Sequence, residues 1–255
     1  MDIIFPLLSP YELGLAALIA ILAGFVKGVV GFAMPLVFIS GLTTFMPPEL
    51  ALAGLIAPTL VTNAHQALRQ GMQAAVRSTI EFRVFLACGG VALIGCAQLV
   101  RLFPDQVMLG VIGVPVTFFA LLQLAGYTFK LSGRNTRVEI TAGAIAGALG
   151  GLSGIWGPPT VAYLTALNTP KQDQMRVQGV IYGLGAVALL VAHVGSGVLR
   201  AETIGFSLAM VPTAYLGMSI GMSVMDRIDQ TVFRRLTLLV LLVAGLNLIR
   251  RAWFG

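Results

Sequence analysis

The sequence predicts an all-α, polytopic membrane protein with about eight transmembrane helices, arranged as two homologous four-helix halves whose first and fifth segments are broken. Three observations lead there. The first is composition: 57% of the 255 residues are hydrophobic and only 10% charged, with a mean hydropathy of +0.92. A soluble domain carries about a quarter charged residues, and no single core hides this much apolar surface, so lipid is the solvent that fits. The second is a succession of apolar runs near the ~20 residues that a span requires. The third is a pair of Gly/Pro interruptions that recur at a fixed separation.

The runs are Tyr11–Phe45, Pro48–Leu68, Ile80–Val100 and Gln106–Phe129. After the polar stretch Lys130–Arg137 come Val138–Leu167, Gln174–Val194, Ile204–Ser223 and Thr231–Ile249. As one straight helix, Tyr11–Phe45 would reach about 52 Å, well beyond a hydrocarbon core of about 30 Å. It and Val138–Leu167 each carry a Gly/Pro cluster in the middle, so each reads as two pieces with a break.

The two breaks correspond. A shift of 123 residues, without gaps, lays Gly24 on Gly147, Gly28 on Gly151, Gly31 on Gly154, Pro35 on Pro158 and Pro47 on Pro170, and farther on Arg77 on Arg200. The chain therefore reads as a duplication, with residues 1–129 and 138–255 as the two transmembrane repeats and 130–137 as a cytoplasmic linker. Interrupted hydrophobic segments at matching places in two halves point to a transporter's binding site. Gly24 with Gly28, and Gly147 with Gly151, also have the spacing of helix-packing faces.

Charge supplies the orientation. The 16 Lys/Arg exceed the 10 Asp/Glu, but they sit singly between apolar runs, which gives no footprint for nucleic acid. They fit positive-inside topology and contact with anionic headgroups of the lipid bilayer. With the N-terminus inside, Arg69, Arg77, Lys130, Arg134, Arg137, Arg200, Arg250 and Arg251 fall on the cytoplasmic side. Arg101, Lys171, Arg176, Arg227, Arg234 and Arg235 fall opposite. This predicts a multi-pass inner-membrane protein with both termini in the cytoplasm. Met1-Asp2 lacks a basic leader, so the first apolar run reads as an uncleaved helix. Even span numbers per half would make the repeats parallel, whereas a re-entrant limb in each broken segment would make them inverted.

Pro35 and Pro158 are placed to begin second half-helices. The N–H groups of Met34, Leu36 and Val37 would then face the first break with the positive end of a helix dipole. At the second break Pro158 and Pro159 remove two donors, leaving Gly157 and Thr160, with the Thr160 hydroxyl and the Trp156 indole as substitutes. Lys27 lies inside the first span just before Gly28-Val-Val-Gly31. A charge there costs a few kcal/mol and needs either a reason or a snorkelling path to the headgroups. Asn63 and Gln66 share one helical face, as do His65 and Arg69, and Gln178 and Tyr182 are the comparable polar pair beyond the second break. Glu81 most simply pairs with Arg77 one turn earlier. The candidate substrate site thus comprises Lys27, Gly31, Met34, Pro35, Leu36, Asn63, His65, Gly154, Trp156, Gly157, Pro158, Thr160, Gln178 and Tyr182.

Other chemistries fare worse. Cys88 and Cys96, eight residues apart on one helix, are too far apart for a disulfide and read as packed thiols. With two Cys and two scattered His, metal binding has no support, no phosphate-binding loop is present, and no cofactor is implied. Gly151-Leu-Ser153-Gly154 with Ala192-His193 resembles the signatures of rhomboid intramembrane proteases. A Ser153–His193 dyad needs both side chains at one depth, yet helix rise leaves His193 about 15 Å deeper.

At these residues the chain resembles the TauE/SafE family of sulfite and organosulfonate exporters. The likeness rests on Gly24-Phe-Val-Lys-Gly28-Val-Val-Gly31-Phe-Ala-Met-Pro35, Pro47-Pro48-Glu-Leu-Ala, Leu68-Arg69-Gln-Gly71 and Gly150-Gly-Leu-Ser-Gly-Ile-Trp-Gly157-Pro158-Pro159. It implies a secondary carrier, not an enzyme, that moves a small sulfur-containing or carboxylated anion, with protons as coupling ion. Gly31-Phe-Ala-Met stands where the family commonly has Gly-x-Gly-Gly-Gly, which changes the donors facing the site. A homo-oligomer in the bilayer is compatible with all of this.

Overall fold

The computed structural model describes residues 8–97, 105–127, 131–153, 157–195 and 201–254. Gly154, Trp156, Arg101, Lys130 and Arg200 lie outside them. The described residues form eleven helices: α1 Pro10–Val30, α2 Met34–Leu42, α3 Pro48–Leu68, α4 Met72–Glu81, α5 Arg83–Ala97, α6 Asp105–Leu124, α7 Thr136–Ser153, α8 Gly157–Ala166, α9 Lys171–Gly195, α10 Ala201–Arg227 and α11 Gln230–Phe254. Helix boundaries recur 123 residues apart: Val30 and Ser153 end α1 and α7, Met34 and Gly157 begin α2 and α8, and Pro48 and Lys171 begin α3 and α9.

By length and composition α1, α10 and α11 are apolar enough to cross a membrane, and α4 with α5 forms a fourth candidate bent by 71°. That bend revises the span expected over Ile80–Val100, whose first residues belong to the separate helix α4. The chain divides into two compact units, Met1–Ala75 with Met175–Asp229 and Val76–Gln174 with Gln230–Gly255. Each unit combines helices from both halves of the sequence.

In the first unit, α1 starts in a capping box. The Ser9 hydroxyl accepts from the Glu12 N–H at 3.3 Å and the Glu12 carboxylate accepts from the Ser9 N–H at 2.8 Å, so two orphan donors are satisfied reciprocally. The helix runs through Gly28 and stops only at Gly31, whose φ of +86° and N–H bond to the Lys27 carbonyl at 2.7 Å end it. A left-handed residue of this kind is what glycine supplies at low cost.

The break does not continue the span. Gly41, near the end of α2, lies against Ile19 in the middle of α1, so the chain reverses and α2 returns along α1. Of the two arrangements that the sequence leaves open for Tyr11–Phe45, this contact favours the re-entrant limb. Hydropathy registers apolar length but not direction, so a returning limb looks like a longer span.

α1 packs parallel to α10. Gly24 and Gly28 abut the backbone at Ala214 and Met218, while Gly217 and Gly221 abut the carbonyls of Ile21 and Phe25. α3 runs alongside in the same direction, with Gly54 against Phe206 and the Ala57 N–H donating to Ser207 Oγ at 3.1 Å. Phe38, Leu42, Phe206 and Met210 fill the space between these helices and α2. α9 runs the other way, since Gly179 packs on Ala67 and the Asn63 amide reaches the Tyr182 carbonyl. Two helices in matching sequence positions, α3 and α9, therefore lie antiparallel.

The second unit repeats these devices. α5 and α7 are parallel, with Gly143 on the Phe85 backbone and Gly147 on Gly89. α6 and α11 are antiparallel, with Gly110 against Trp253 and Gly113 against Gly245 and Ile249. The Leu131 N–H donates to the Ala166 carbonyl at 2.8 Å, which brings the end of α8 back to the segment before α7, a reversal like that of α2.

Glu81 pairs with Arg134 at 3.2 Å, not with Arg77 as expected, because the 71° bend carries it toward the segment before α7. Arg134 also lies over the Phe82 ring and bonds both oxygens of the buried Glu139 at 2.9 Å. Burial opposes its charge, but the carboxylates of Glu139 and Glu81 hold the guanidinium above its ordinary range. Arg134 is partly exposed and keeps Glu81 when Glu139 is changed, so only the charge-assisted bonds to Glu139 are lost. Glu139→Gln is expected to destabilise the protein by about 1 kcal/mol, read as a fall in melting temperature in detergent. An unchanged melting temperature would show that this pair contributes nothing.

Candidate functional site: a buried amine beside the α1–α2 break

Among the described residues of the first unit, Lys27 is the most deeply placed charged one, at 2% exposure. Helix α1 continues for three residues beyond it, so it sits one turn before the break and not at its lip. Its side chain does not snorkel. The ε-amine turns inward and donates to Asn63 Oδ1, 36 residues along the chain. Asn63 is itself fixed, because its amide nitrogen donates to the Tyr182 carbonyl at 3.2 Å, which aims its oxygen at the amine. Among the described residues Lys27 forms no ion pair.

Two glutamines close the end of α1. Gln66 Nε2 donates to the Gly31 carbonyl at 3.1 Å and to the Met175 carbonyl at 2.8 Å. Gln178, with its nitrogen toward α1, donates to the carbonyls of Val30 and Gly31, each at 3.2 Å. Both side chains are buried. Gln66 Oε1 and, two turns back on α3, Thr59 Oγ1 have no hydrogen-bond partner among the described residues. Such leftover acceptors are costly unless a ligand or water meets them.

Across the break, Ala33 adopts φ +68° and Met34 is the first residue of α2. Pro35 is thus second, not first, in the half-helix. The Val37 N–H is not free as expected, since it donates to the Ala33 carbonyl at 3.1 Å, leaving Met34 and Leu36 as the donors of the first turn. The buried Met34 sulfur lies 3.6 Å from the Thr62 hydroxyl, which bonds the Pro58 carbonyl at 2.6 Å.

The remaining candidates fall elsewhere. His65 turns to the opposite face of α3, where Nδ1 lies 3.1 Å from the Tyr215 hydroxyl. Arg69 pairs with Asp226 through both carboxylate oxygens, and Arg176 bonds Gln70. Arg69, Asp226 and Arg176 therefore share one end of the first unit, which corrects the expectation that Arg69 lies on one side of the membrane and Arg176 opposite. A double variant, Arg69→Cys with Asp226→Cys, is expected to be joined by a short bifunctional thiol reagent whose reach replaces that of the arginine side chain, a span too long for a disulfide, scored as loss of free thiols. Persistently free thiols would oppose the shared end. In the second unit Gly157 begins α8, with Pro158 and Thr160 buried behind it.

Sequence reading placed Gln66 on the right face but left it out of the site, although its three-residue spacing from Asn63 was a sufficient signal. The carbonyls of Val30, Gly31 and Met175 had no signal in sequence at all.

The chain is similar to the family described as Sulfite exporter TauE/SafE, whose profile matches residues 16–248. No curated protein and no solved structure matches it.

Proposed function

The chain belongs to the TauE/SafE sulfite exporter family, and from that premise we propose that it exports sulfite, an organosulfonate or a related carboxylated or sulfur-containing anion across the inner membrane, driven by the proton-motive force. Family membership makes it a multi-pass membrane transporter and not an enzyme. The hydrolase reading of Ser153 and His193, whose side chains lie outside the described residues, is set aside with it.

Eight crossing helices are assigned, α1, α3, α5, α6, α7, α9, α10 and α11, with α2 and α8 as returning limbs. Five passes per half make the repeats inverted, in line with the antiparallel α3 and α9, and broken helices in inverted repeats are where carriers bind their substrates.

The observation that carries the anion reading is Lys27, a buried amine with an amide oxygen for its partner and, among the described residues, no carboxylate. A cation kept in such a place needs a negative charge to arrive. The N–H groups of Met34 and Leu36 at the start of α2 supply donors for it, while the amides of Gln66 and Gln178 hold the end of α1 in place. Gly157 and Thr160 at the start of α8 are assigned the corresponding role in the second unit.

Binding of sulfite and of methanesulfonate to the purified protein tests this. Lys27→Met is expected to weaken affinity by about 10- to 100-fold, the worth of a charge-assisted hydrogen bond, with the melting temperature preserved. Equal affinity in a folded Lys27→Met protein would remove Lys27 from the site. Pro35→Ala is expected to impair transport too, because a continuous helix would close over the donors.

A further inference from the structure

We propose that Arg234, Gln123 and Thr237 form a separate oxyanion-binding site in the second unit, where α6 ends and α11 begins. These two helices are held together by close packing at Gly110, Gly113 and Gly245. Because they run antiparallel, Gln123 in the last turn of α6 meets Arg234 near the start of α11. The Arg234 guanidinium donates to Gln123 Oε1 at 2.6 Å and reaches Asn168 Oδ1, just beyond the end of α8, at 3.5 Å. Both acceptors are neutral amide oxygens. Among the described residues Arg234 forms no ion pair. A guanidinium carries five N–H groups and stays charged, so these two oxygens meet only part of what it offers.

Gln123 adds a second donor beside it. Its side chain is buried, at 6% exposure, and Arg234 fixes the oxygen end of the amide. The nitrogen end has no hydrogen-bond partner among the described residues. Both ends belong to one planar group, so that nitrogen stands next to the guanidinium. Thr237, three residues after Arg234 and on the same face of α11, is 1% exposed, and its hydroxyl is unmet as well. Buried donors left unpaired are costly unless something that accepts reaches them. A guanidinium fork, an amide N–H and a hydroxyl in one place suit a tetrahedral oxyanion, which brings several acceptor oxygens and the opposite charge.

Holding the fold together does not account for these groups. The strap from α11 to the chain after α8 is Gln230, whose nitrogen donates to the Thr169 carbonyl at 3.1 Å and whose oxygen accepts from the Lys171 N–H at 2.8 Å. Tying α6 to α11 uses only the oxygen of Gln123 and leaves its nitrogen idle. Depth bears on where the anion comes from. α11 has 25 residues, more than a hydrocarbon core of about 30 Å requires, so its first turns fall at headgroup level. An oxyanion arrives there either as a free ion from water or as the phosphate of an anionic lipid, whose headgroups are held by basic pockets between membrane helices.

The test follows the melting temperature of the purified, delipidated full chain, which a ligand of the folded state raises by mass action. Inorganic phosphate is titrated against chloride, and short-chain phosphatidylglycerol against phosphatidylcholine, at constant ionic strength so that screening does not vary. Both titrations are repeated in Lys27→Met, where the proposed substrate site is disabled. A saturable rise is expected in both backgrounds. Its half-saturation is expected to weaken about 10- to 100-fold in Arg234→Gln and about tenfold in Gln123→Met. Saturation by inorganic phosphate makes the ligand a free oxyanion, and saturation by phosphatidylglycerol alone makes it a lipid headgroup. If Arg234→Gln does not fold, Gln123→Met, which leaves the charge in place, carries the comparison. No saturable rise with either probe overturns the site. A rise whose half-saturation is unchanged in the variants, or one that is lost in Lys27→Met, overturns it too.

Discussion

Replacing Gly28 by leucine is expected to abolish the folded protein in detergent, the largest effect of any single substitution considered. A Cβ at position 28 would overlap the Met218 carbonyl and the Gly221 Cα of α10. Backbone cannot yield as a side-chain tip does, so α1 and α10 would have to separate along their whole contact. Without a hydrophobic force between helices in lipid, close approach through small residues is what holds such a pair. Overpacking in cores costs about 1–3 kcal/mol, occasionally more, and here the cost is repeated by neighbouring turns that lose contact with it. Gly14→Leu is the internal control. It lies on the same helix, with open space where its Cβ would stand, and is expected to leave the melting temperature and the elution profile unchanged. If Gly28→Leu elutes and melts like Gly14→Leu, the α1–α10 contact is not what holds the first unit together.

Those glycines show what a single sequence reveals and what it withholds. The spacing of Gly24 and Gly28 marked a close helix contact, and the matching Gly31/Pro35 and Gly154/Pro158 clusters marked the ends of α1 and α7 to within a few residues. The partner of Gly24 is in α10, nearly two hundred residues away, and nothing local to either helix names the other. Direction was equally hidden. The segment Tyr11–Phe45 is apolar throughout whether α2 continues α1 or returns along it, and the Gly41–Ile19 contact that decides the matter is tertiary.

At the site the chemistry of Lys27 was legible because a charge inside an apolar run is conspicuous. The setting of that amine was not. Asn63 is aimed by a carbonyl on α9, and the two glutamines find their acceptors only after α1 has ended. Val37 erred for a simpler reason: taking Met34, Leu36 and Val37 as the free donors assumes that the helix begins at Pro35, and it begins a residue sooner.

Reporters fused after Gly133 and at the C-terminus are expected to read opposite sides of the membrane, the first cytoplasmic and the second not. This departs from the charge count made on sequence alone, which put both inside. In the second unit α6 and α11 are antiparallel, with Gly110 near the start of one against Trp253 at the end of the other. The Gly133 loop follows the end of α6, so it and the C-terminus lie at opposite ends of that unit. Among the described residues, the end with Gly133 gathers Arg83, Arg134, Arg137, Lys171, Arg234 and Arg235, whereas the other holds Arg250 and Arg251. The first unit is biased likewise. Among the described residues, Arg69, Arg176 and Arg227 lie with Asp226 at the end where α1 stops, and Glu12, Glu49 and Glu202 lie at the end where α1, α3 and α10 begin. Basic loops stay in the cytoplasm and acidic residues weigh little, so each unit taken alone puts its terminus outside. The α1–α2 break and Lys27 would then lie toward the cytoplasmic end, where an exported anion is captured. An alkaline phosphatase fusion active at the C-terminus and inactive after Gly133, with a green fluorescent protein pair giving the converse, is the expected outcome. Matching signals at the two positions would sink the inverted arrangement together with this orientation.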